Sequence, residues 1–337
     1  MISVVIPIHN EEPVIPELLA RTLAAARTWG EDFELVLVDD GSRDRSLQLL
    51  MDAARAEPHL RVVKLARNFG HQAAITAGIQ QARGAAVIVM DGDLQDPPEE
   101  LHKFIAKWKE GFEVVYGIRQ QRKESLLMRF AYATFYRALH VISDIEIPLD
   151  SGDFCLMDRK VVDALNYALP EQVRFIRGLR AYIGFRQTGV AYERHERFAG
   201  TPSYTFRTLM KLAVDGLFSF SMFPLRLASY IGFLIAIPSF LTGIYFIVIR
   251  TFGLYVLGHT PEETPGLATL AVGLFFLSGL ILIILGIMGE YLGRIYIEVK
   301  RRPLFVLDYV YSSATRTGPA PEEVQHARPL AEARRLD

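Results

Sequence analysis

The sequence carries a single cysteine, Cys155, and two tryptophans. One thiol excludes an internal disulfide framework and suits a reducing compartment. Neither charge sign dominates: 37 Lys+Arg against 38 Asp+Glu leave a formal net charge of −1. A chain without a basic excess is not expected to bind nucleic acid. No G-x-G-x-x-G follows the first strand-like run, which disfavours a dinucleotide-binding Rossmann domain, and no G-x-x-x-x-G-K-[ST] occurs, which disfavours a P-loop nucleotidase. A secretory leader is not expected either, because Met1 leads within a few residues into the strand-like Ser3-Val4-Val5-Ile6-Pro7. No internal repeat stands out.

What is present is unevenly distributed. Residues 1–205 alternate strand-like and helix-like segments, the pattern of an α/β domain with a mostly parallel sheet. Strands are expected at Ile2–Ile6, Phe33–Val38, Arg61–Leu65, Ala86–Met90 and Val114–Tyr116. Helices are expected at Glu12–Thr28, from Asp44 as cap to about Ala56, at Gln72–Ala82, and from Pro97-Pro98 to about Lys109. Residues 206–226 mix Leu and Phe with Arg207, Lys211 and Asp215, as an amphipathic segment at a lipid headgroup would. Residues 227–290 hold two uncharged stretches, Leu227–Ile249 and Leu267–Gly289, each exceeding the ~20 residues that cross a hydrocarbon core. The expectation is a two-helix transmembrane hairpin. Its loop, Thr251–Gly266, has no Lys or Arg, whereas Arg226, Arg294, Lys300, Arg301 and Arg302 flank it, so both termini are expected to be cytoplasmic. Residues 291–311 read as a juxtamembrane segment and 312–337 as a disordered tail.

Polar clusters stand where the first four strands end: Pro7-Ile8-His9-Asn10-Glu11-Glu12, Asp39-Asp40-Gly41-Ser42, Arg67-Asn68-Phe69-Gly70-His71 and Asp91-Gly92-Asp93. In open α/β sheets ligands bind outside the carboxyl ends of the strands, so four such clusters argue for one site. Asp91, Asp93 and Gln95 are closely spaced oxygen donors suited to a hard divalent cation, Mg²⁺ or Mn²⁺, that would hold a diphosphate. With no glycine cradle for phosphate, a nucleotide site here needs that metal. His9, His71 and His195 lack the spacing of a zinc site and read as pocket lining or polar surface.

These four clusters, with Leu94-Gln95-Asp96-Pro97-Pro98 completing the last, resemble glycosyltransferase family 2, and within it the polyprenyl-phosphate glycosyltransferases. The resemblance covers roughly residues 1–305. It implies a type-A glycosyltransferase fold (Rossmann-like), a nucleotide-diphosphate sugar donor, with a UDP-sugar ahead of a GDP-sugar, and a polyprenyl phosphate acceptor in the bilayer. It further implies a multi-pass protein of the bacterial inner membrane with its catalytic domain on the cytoplasmic side. Carried over by motif, Pro7, His9, Asn10 and Glu11 would line the nucleoside pocket, and Asp39 or Asp40 would read base or ribose. Asp91, Asp93 and Gln95 would hold metal and diphosphate, Arg119 and Arg129 would meet phosphates, and Arg197 would sit on a loop closing over the donor. Two departures stand out: Pro202-Ser203-Tyr204 replaces a frequent Ser-Lys-Tyr, and Cys155 stands where the family segment often has arginine.

The implied reaction is inverting attack of a lipid phosphate oxygen on the anomeric carbon. A phosphate monoester with a second pKa near ~6 is largely dianionic at neutral pH and needs little help from a base. Asp153, a catalytic candidate beside Asp93, is therefore open between orienting metal or acceptor and a structural role. Arg119, Arg122, Lys123, Arg129 and Arg137 fall in one stretch among apolar residues and suit an anionic headgroup. A processive polysaccharide synthase is disfavoured because no Gln-x-x-Arg-Trp follows the aspartates. A non-catalytic membrane subunit would be expected to have lost the metal ligands. The sugar (glucose is the first guess), the polyprenol length and homo-oligomerisation stay open.

Overall fold

A computed structural model of the chain describes residues 1–120, 151–169, 171–172, 174–194, 225, 227–235, 237–238, 241, 251 and 266–313. The chain falls into two compact units. One comprises Met1–His140, Ile145–Leu209 and Arg301–Asp337, the other Val141–Asp144 and Met210–Lys300.

In the first unit, β1 (Ile2–Ile8), β2 (Phe33–Asp39), β3 (Leu60–Leu65) and β4 (Ala86–Val89) are apolar runs buried almost throughout. Continuous burial is what strands covered on both faces require. They pair in parallel, with Val5 opposite Val36 on one side and Val89 on the other. The covering helices are α1 (Ile15–Arg27), α2 (Ser46–Ala56), α3 (His71–Gln81) and α4 (Leu101–Lys109). Pro16 opens α1, and its buried residues Ile15, Leu18, Leu19, Thr22 and Ala26 recur at helical spacing. The N-cap of α2 is Arg45, with no side-chain cap bond, and not Asp44 as expected; Asp44 stands one residue earlier and accepts from the Ser46 amide at 3.0 Å. α3 lies very close to the sheet: a Cβ on Gly78 would stand 2.2 Å from Val5 Cγ1.

The remaining elements are β5 (Val114–Gln120), β6 (Ser151–Asp158), α5 (Arg159–Asp163), α6 (Ile176–Tyr182) and β7 (Gln187–Glu193). The chain then forms α7 (Gly266–Lys300) and β8 (Leu307–Ser312). The sheet is eight-stranded in the order β7-β5-β6-β4-β1-β2-β3-β8. Only β6 and β8 run against the rest, so the mostly parallel sheet is observed. β8 falls across the segments read as juxtamembrane and tail. It pairs antiparallel with β3 and is secured by the Lys64–Asp308 ion pair at 2.7 Å. The edge of β3 thus gains a partner for its unpaired amides and carbonyls.

α7 is a separate matter, in the second unit. Its 35 residues extend about 52 Å at ~1.5 Å per residue, more than the ~30 Å of a hydrocarbon core. It continues past the expected end at Gly289 to Lys300. Leu274, Phe276, Leu282 and Ile283 are between 62% and 68% exposed. Among the described residues one helix is long and apolar enough to cross a membrane, Phe276–Lys300 within α7. Residues 227–235 are helical. The rest of the first expected span, most of segment 206–226, the hairpin loop and the tail beyond 313 lie largely or wholly outside the described residues.

Candidate active site

The carboxyl ends of β1, β2 and β3 are stitched into one edge by side-chain to backbone bonds. Asp40 accepts from the amides of Phe69 at 2.7 Å and Gly70 at 2.9 Å, tying the β2 end to the β3 end. Asn10 accepts from the Arg43 amide at 2.8 Å and donates its own amide to Ser42 Oγ at 3.1 Å, tying β1 to β2. Gly41 makes the approach feasible. Its φ is +66°, and a Cβ there would lie 2.6 Å from the Arg67 carbonyl carbon and the Asn68 nitrogen. His9 sits at the centre. Nδ1 donates to the Asp40 carbonyl at 2.9 Å, which leaves Nε2 to accept from the amides of Asn10 at 3.0 Å and Asn68 at 3.1 Å. The cleft that results, ≈ 340 Å³, is lined by His9, Asn10, Gly41, Arg43, Arg67 and Asn68.

Of the two aspartates expected to read the nucleoside, Asp40 has both oxygens committed to backbone amides. Asp39 accepts from the Ser42 amide through Oδ1, and its Oδ2 has no partner among the described residues. Burial pushes the Asp39 carboxyl above its ordinary pKa. Pro7 belongs to β1 opposite Val38, and Glu11 anchors the start of α1 through its carbonyl, which accepts from Val14 and Ile15.

The second half of the site comes from antiparallel pairing. Val89 of β4 faces Cys155 of β6, so two residues further along, Asp91 and Asp153 meet from opposite chain directions. His71, at the start of α3, spans them: its Nε2 is 3.5 Å from Asp91 Oδ1 and 3.4 Å from Asp153 Oδ2. Asp153 is held by Arg177 of α6 through bonds of 2.8 and 3.1 Å and by Gln72 Nε2 at 3.3 Å. Gln72 in turn accepts from the Ile176 amide at 3.1 Å, fastening α3 to α6. Gly92 lets the Asp-Gly-Asp turn rest on β1, since a Cβ would be 2.7 Å from Ile8 Cδ1. Asp93 Oδ1 accepts from the Gln95 amide at 3.1 Å, and Tyr192 donates to the buried Asp96 at 2.6 Å.

Electrostatics separates the two central carboxylates. For Asp153, burial opposes the charge, but Arg177 and His71 outweigh it and hold the carboxyl far below its usual range. Such a group is a poor proton acceptor, which speaks for positioning over general-base work. Asp91 is pushed up to about 6, by burial above all; His71 opposes this while Asp96, Asp153 and Asp93 reinforce it. Burial lowers the His71 pKa, yet Asp153 and Asp91 prevail and raise it above its ordinary value.

Asp91 Oδ1 is buried and has no hydrogen-bond donor among the described residues. An under-satisfied buried carboxylate among like charges fits a divalent cation, so the Asp91, Asp93 and Gln95 donor set is chemically suited to one. Among the described residues no three His, Cys, Asp or Glu side chains form a preformed cage.

Arg119 lies on β5 opposite Tyr192 of β7. Lys123, Arg129, Arg197 and His195 lie outside the described residues. Gln72 and Arg177 are not among the site residues expected from the sequence, and His71 appears there only as lining. A signal existed: Arg177 and Arg180 recur at the three-residue spacing of one helical face.

Residues 3–165 match the model of glycosyl transferase family 2. The chain is 45% identical over 310 residues to the uncharacterized glycosyltransferase YkcC of Bacillus subtilis, covering 92% of this chain and 94% of that one. It is 38% identical to the SfII prophage-derived bactoprenol glucosyl transferase of Shigella flexneri, covering 91% and 97%. It is 35% identical to the prophage bactoprenol glucosyl transferase homolog of Escherichia coli K12, covering 92% and 99%. Likeness along nearly the full length of each relative, on a type-A α/β domain whose strand ends hold a polar cleft and paired carboxylates, has one reading: the chain belongs to glycosyl transferase family 2 and is a nucleotide-sugar glycosyltransferase.

Proposed function

We propose that the protein transfers a hexosyl group, glucose first among candidates, from a UDP-sugar to a polyprenyl phosphate at the cytoplasmic face of a membrane. The observation that carries this reading is the match, over more than nine-tenths of the chain, to proteins named bactoprenol glucosyl transferase. The apolar exterior of α7 supports it. Each large apolar side chain left in water forgoes about 1.5–3 kcal/mol of burial, so a helix covered with them belongs in lipid. A hairpin with Leu227–Ile249 as its other span is part of the proposal.

In this reading the His9 cleft takes the nucleoside, with Asp39 as the reader and Asp40 as the brace. Asp91, Asp93 and Gln95 hold Mg²⁺ or Mn²⁺. The cation's contribution is to neutralise charge developing on the departing diphosphate. A phosphate oxygen of the lipid forms the new bond to the anomeric carbon as the bond to the diphosphate breaks, with inversion. Because that oxygen is already anionic, no protein base is needed, and Asp153 positions Arg177 and His71. Arg119, Lys123 and Arg129 are assigned to phosphates, and Arg197 to a loop over the donor.

The test uses the full-length protein in detergent with undecaprenyl phosphate, a divalent cation and labelled nucleotide sugars. Label passing from UDP-glucose into extracted lipid is the expected result. No labelled lipid from any UDP- or GDP-sugar would defeat the proposal.

A further inference from the structure

Arg180 of α6 is 1% exposed, and neither Nη1 nor Nη2 has a hydrogen-bond partner among the described residues. Its guanidinium lies beside the Cys155 thiol and 5.6 Å from the centroid of the Tyr116 ring. One turn earlier on the same helix, Arg177 is spent on Asp153. α6 therefore carries two guanidinium groups, one spent on Asp153 and one with no carboxylate bonded to its Nη atoms among the described residues.

A buried charge without a counter-ion is destabilising, and the face of one tyrosine offsets only part of that cost. A residue whose removal would relieve the fold has to be useful in another state of the molecule. Its location says which. The nucleoside cleft belongs to β1–β3 and the diphosphate donors to the end of β4. Cys155 lies two residues from Asp153 on the same face of β6, about 7 Å along the strand. Arg180 thus sits beneath the β5–β6 half of the edge, apart from the groups assigned to the donor.

We propose that Arg180 is a positioning residue for the acceptor. Its unpaired charge, in an interior where screening is weak, draws the acceptor's phosphate to the β5–β6 side of the carboxylate pair. The inference rests on the transfer reading above.

The experiment compares wild type with Arg180→Leu, Arg180→Lys and the double variant Cys155→Arg/Arg180→Leu, all full length in detergent, with UDP-glucose and undecaprenyl phosphate as substrates. For Arg180→Leu the expected result is a KM for undecaprenyl phosphate raised about ten-fold. Its KM for UDP-glucose should stay within about two-fold, and its Tm should equal or exceed the wild-type value, because an unpaired buried charge has gone. Arg180→Lys, and the double variant that moves the guanidinium to β6, should recover most of the acceptor affinity. A lowered Tm or failure to fold for Arg180→Leu, an equal rise in both KM values, or unchanged kinetics would each overturn the inference. Failure of the wild type itself to label lipid would instead overturn the transfer reading.

Discussion

Replacing Arg177 by methionine keeps an unbranched stem of about the aliphatic part's length and removes both bonds by which Arg177 holds the buried Asp153. Breaking a buried pair from one side costs about 3–5 kcal/mol, because the remaining charge loses its partner and cannot regain water. Asp153 keeps His71 and Gln72, which places the loss near the lower bound, about 3 kcal/mol at neutral pH. For a domain of this size, that is a fall in Tm of roughly 6–12 °C. The pH dependence is the sharper reading. In the wild type the Asp153 carboxyl titrates far below its ordinary value, so its stabilisation is complete above about pH 5 and drains away only as pH falls. Without Arg177 the largest cause that lowers the Asp153 pKa is gone, so the carboxyl titrates higher than in the wild type. The variant's deficit is then fullest at neutral pH and shrinks as pH falls and its carboxyl takes up a proton that the wild-type group still refuses. Thermal unfolding of the full-length protein at about pH 4 and about pH 7 measures both. A deficit relative to wild type that narrows toward the acid end is expected. A Tm within a degree of wild type, or the same deficit at both pH values, would refute the account of Asp153 as a buried anion held by Arg177.

Asp91→Asn should reduce lipid labelling by about a hundred-fold or more while leaving Tm unchanged or higher, since it removes charge from a crowded carboxylate site; labelling at the wild-type rate would contradict its assignment. Gly41→Ala should raise the KM for the nucleotide sugar and lower stability by about 1–2 kcal/mol, because a side chain at its left-handed backbone collides with the Arg67–Asn68 backbone. Kinetics and thermal melts check the two effects separately. Gly78→Ala should cost about 1–3 kcal/mol by forcing α3 away from Val5, with a fall in Tm and little change in KM for either substrate.

The sequence alone determined the first half of the catalytic domain, because parallel strands covered on both faces are written as unbroken apolar runs that little else resembles. Ile2–Ile8, Phe33–Asp39, Leu60–Leu65 and Ala86–Val89 are such runs, and each stops at the polar residues that make the site. Strands β6, β7 and β8 are mixed in polarity; β6 is antiparallel to both neighbours, and β8 lies at the far end of the chain from its partner β3, so no local pattern could announce them. Tertiary structure alone decided which aspartate braces the β3 loop and which keeps an oxygen unbonded among the described residues: Asp40 accepts from Phe69 and Gly70, Asp39 only from Ser42. It also decided the setting of Asp153, whose partners Gln72 and Arg177 arrive from elements 81 and 24 residues away in sequence. Periodicity reports which face of an element is buried. Convergence of charges depends on how the elements cross, and that is settled only when the sheet has closed.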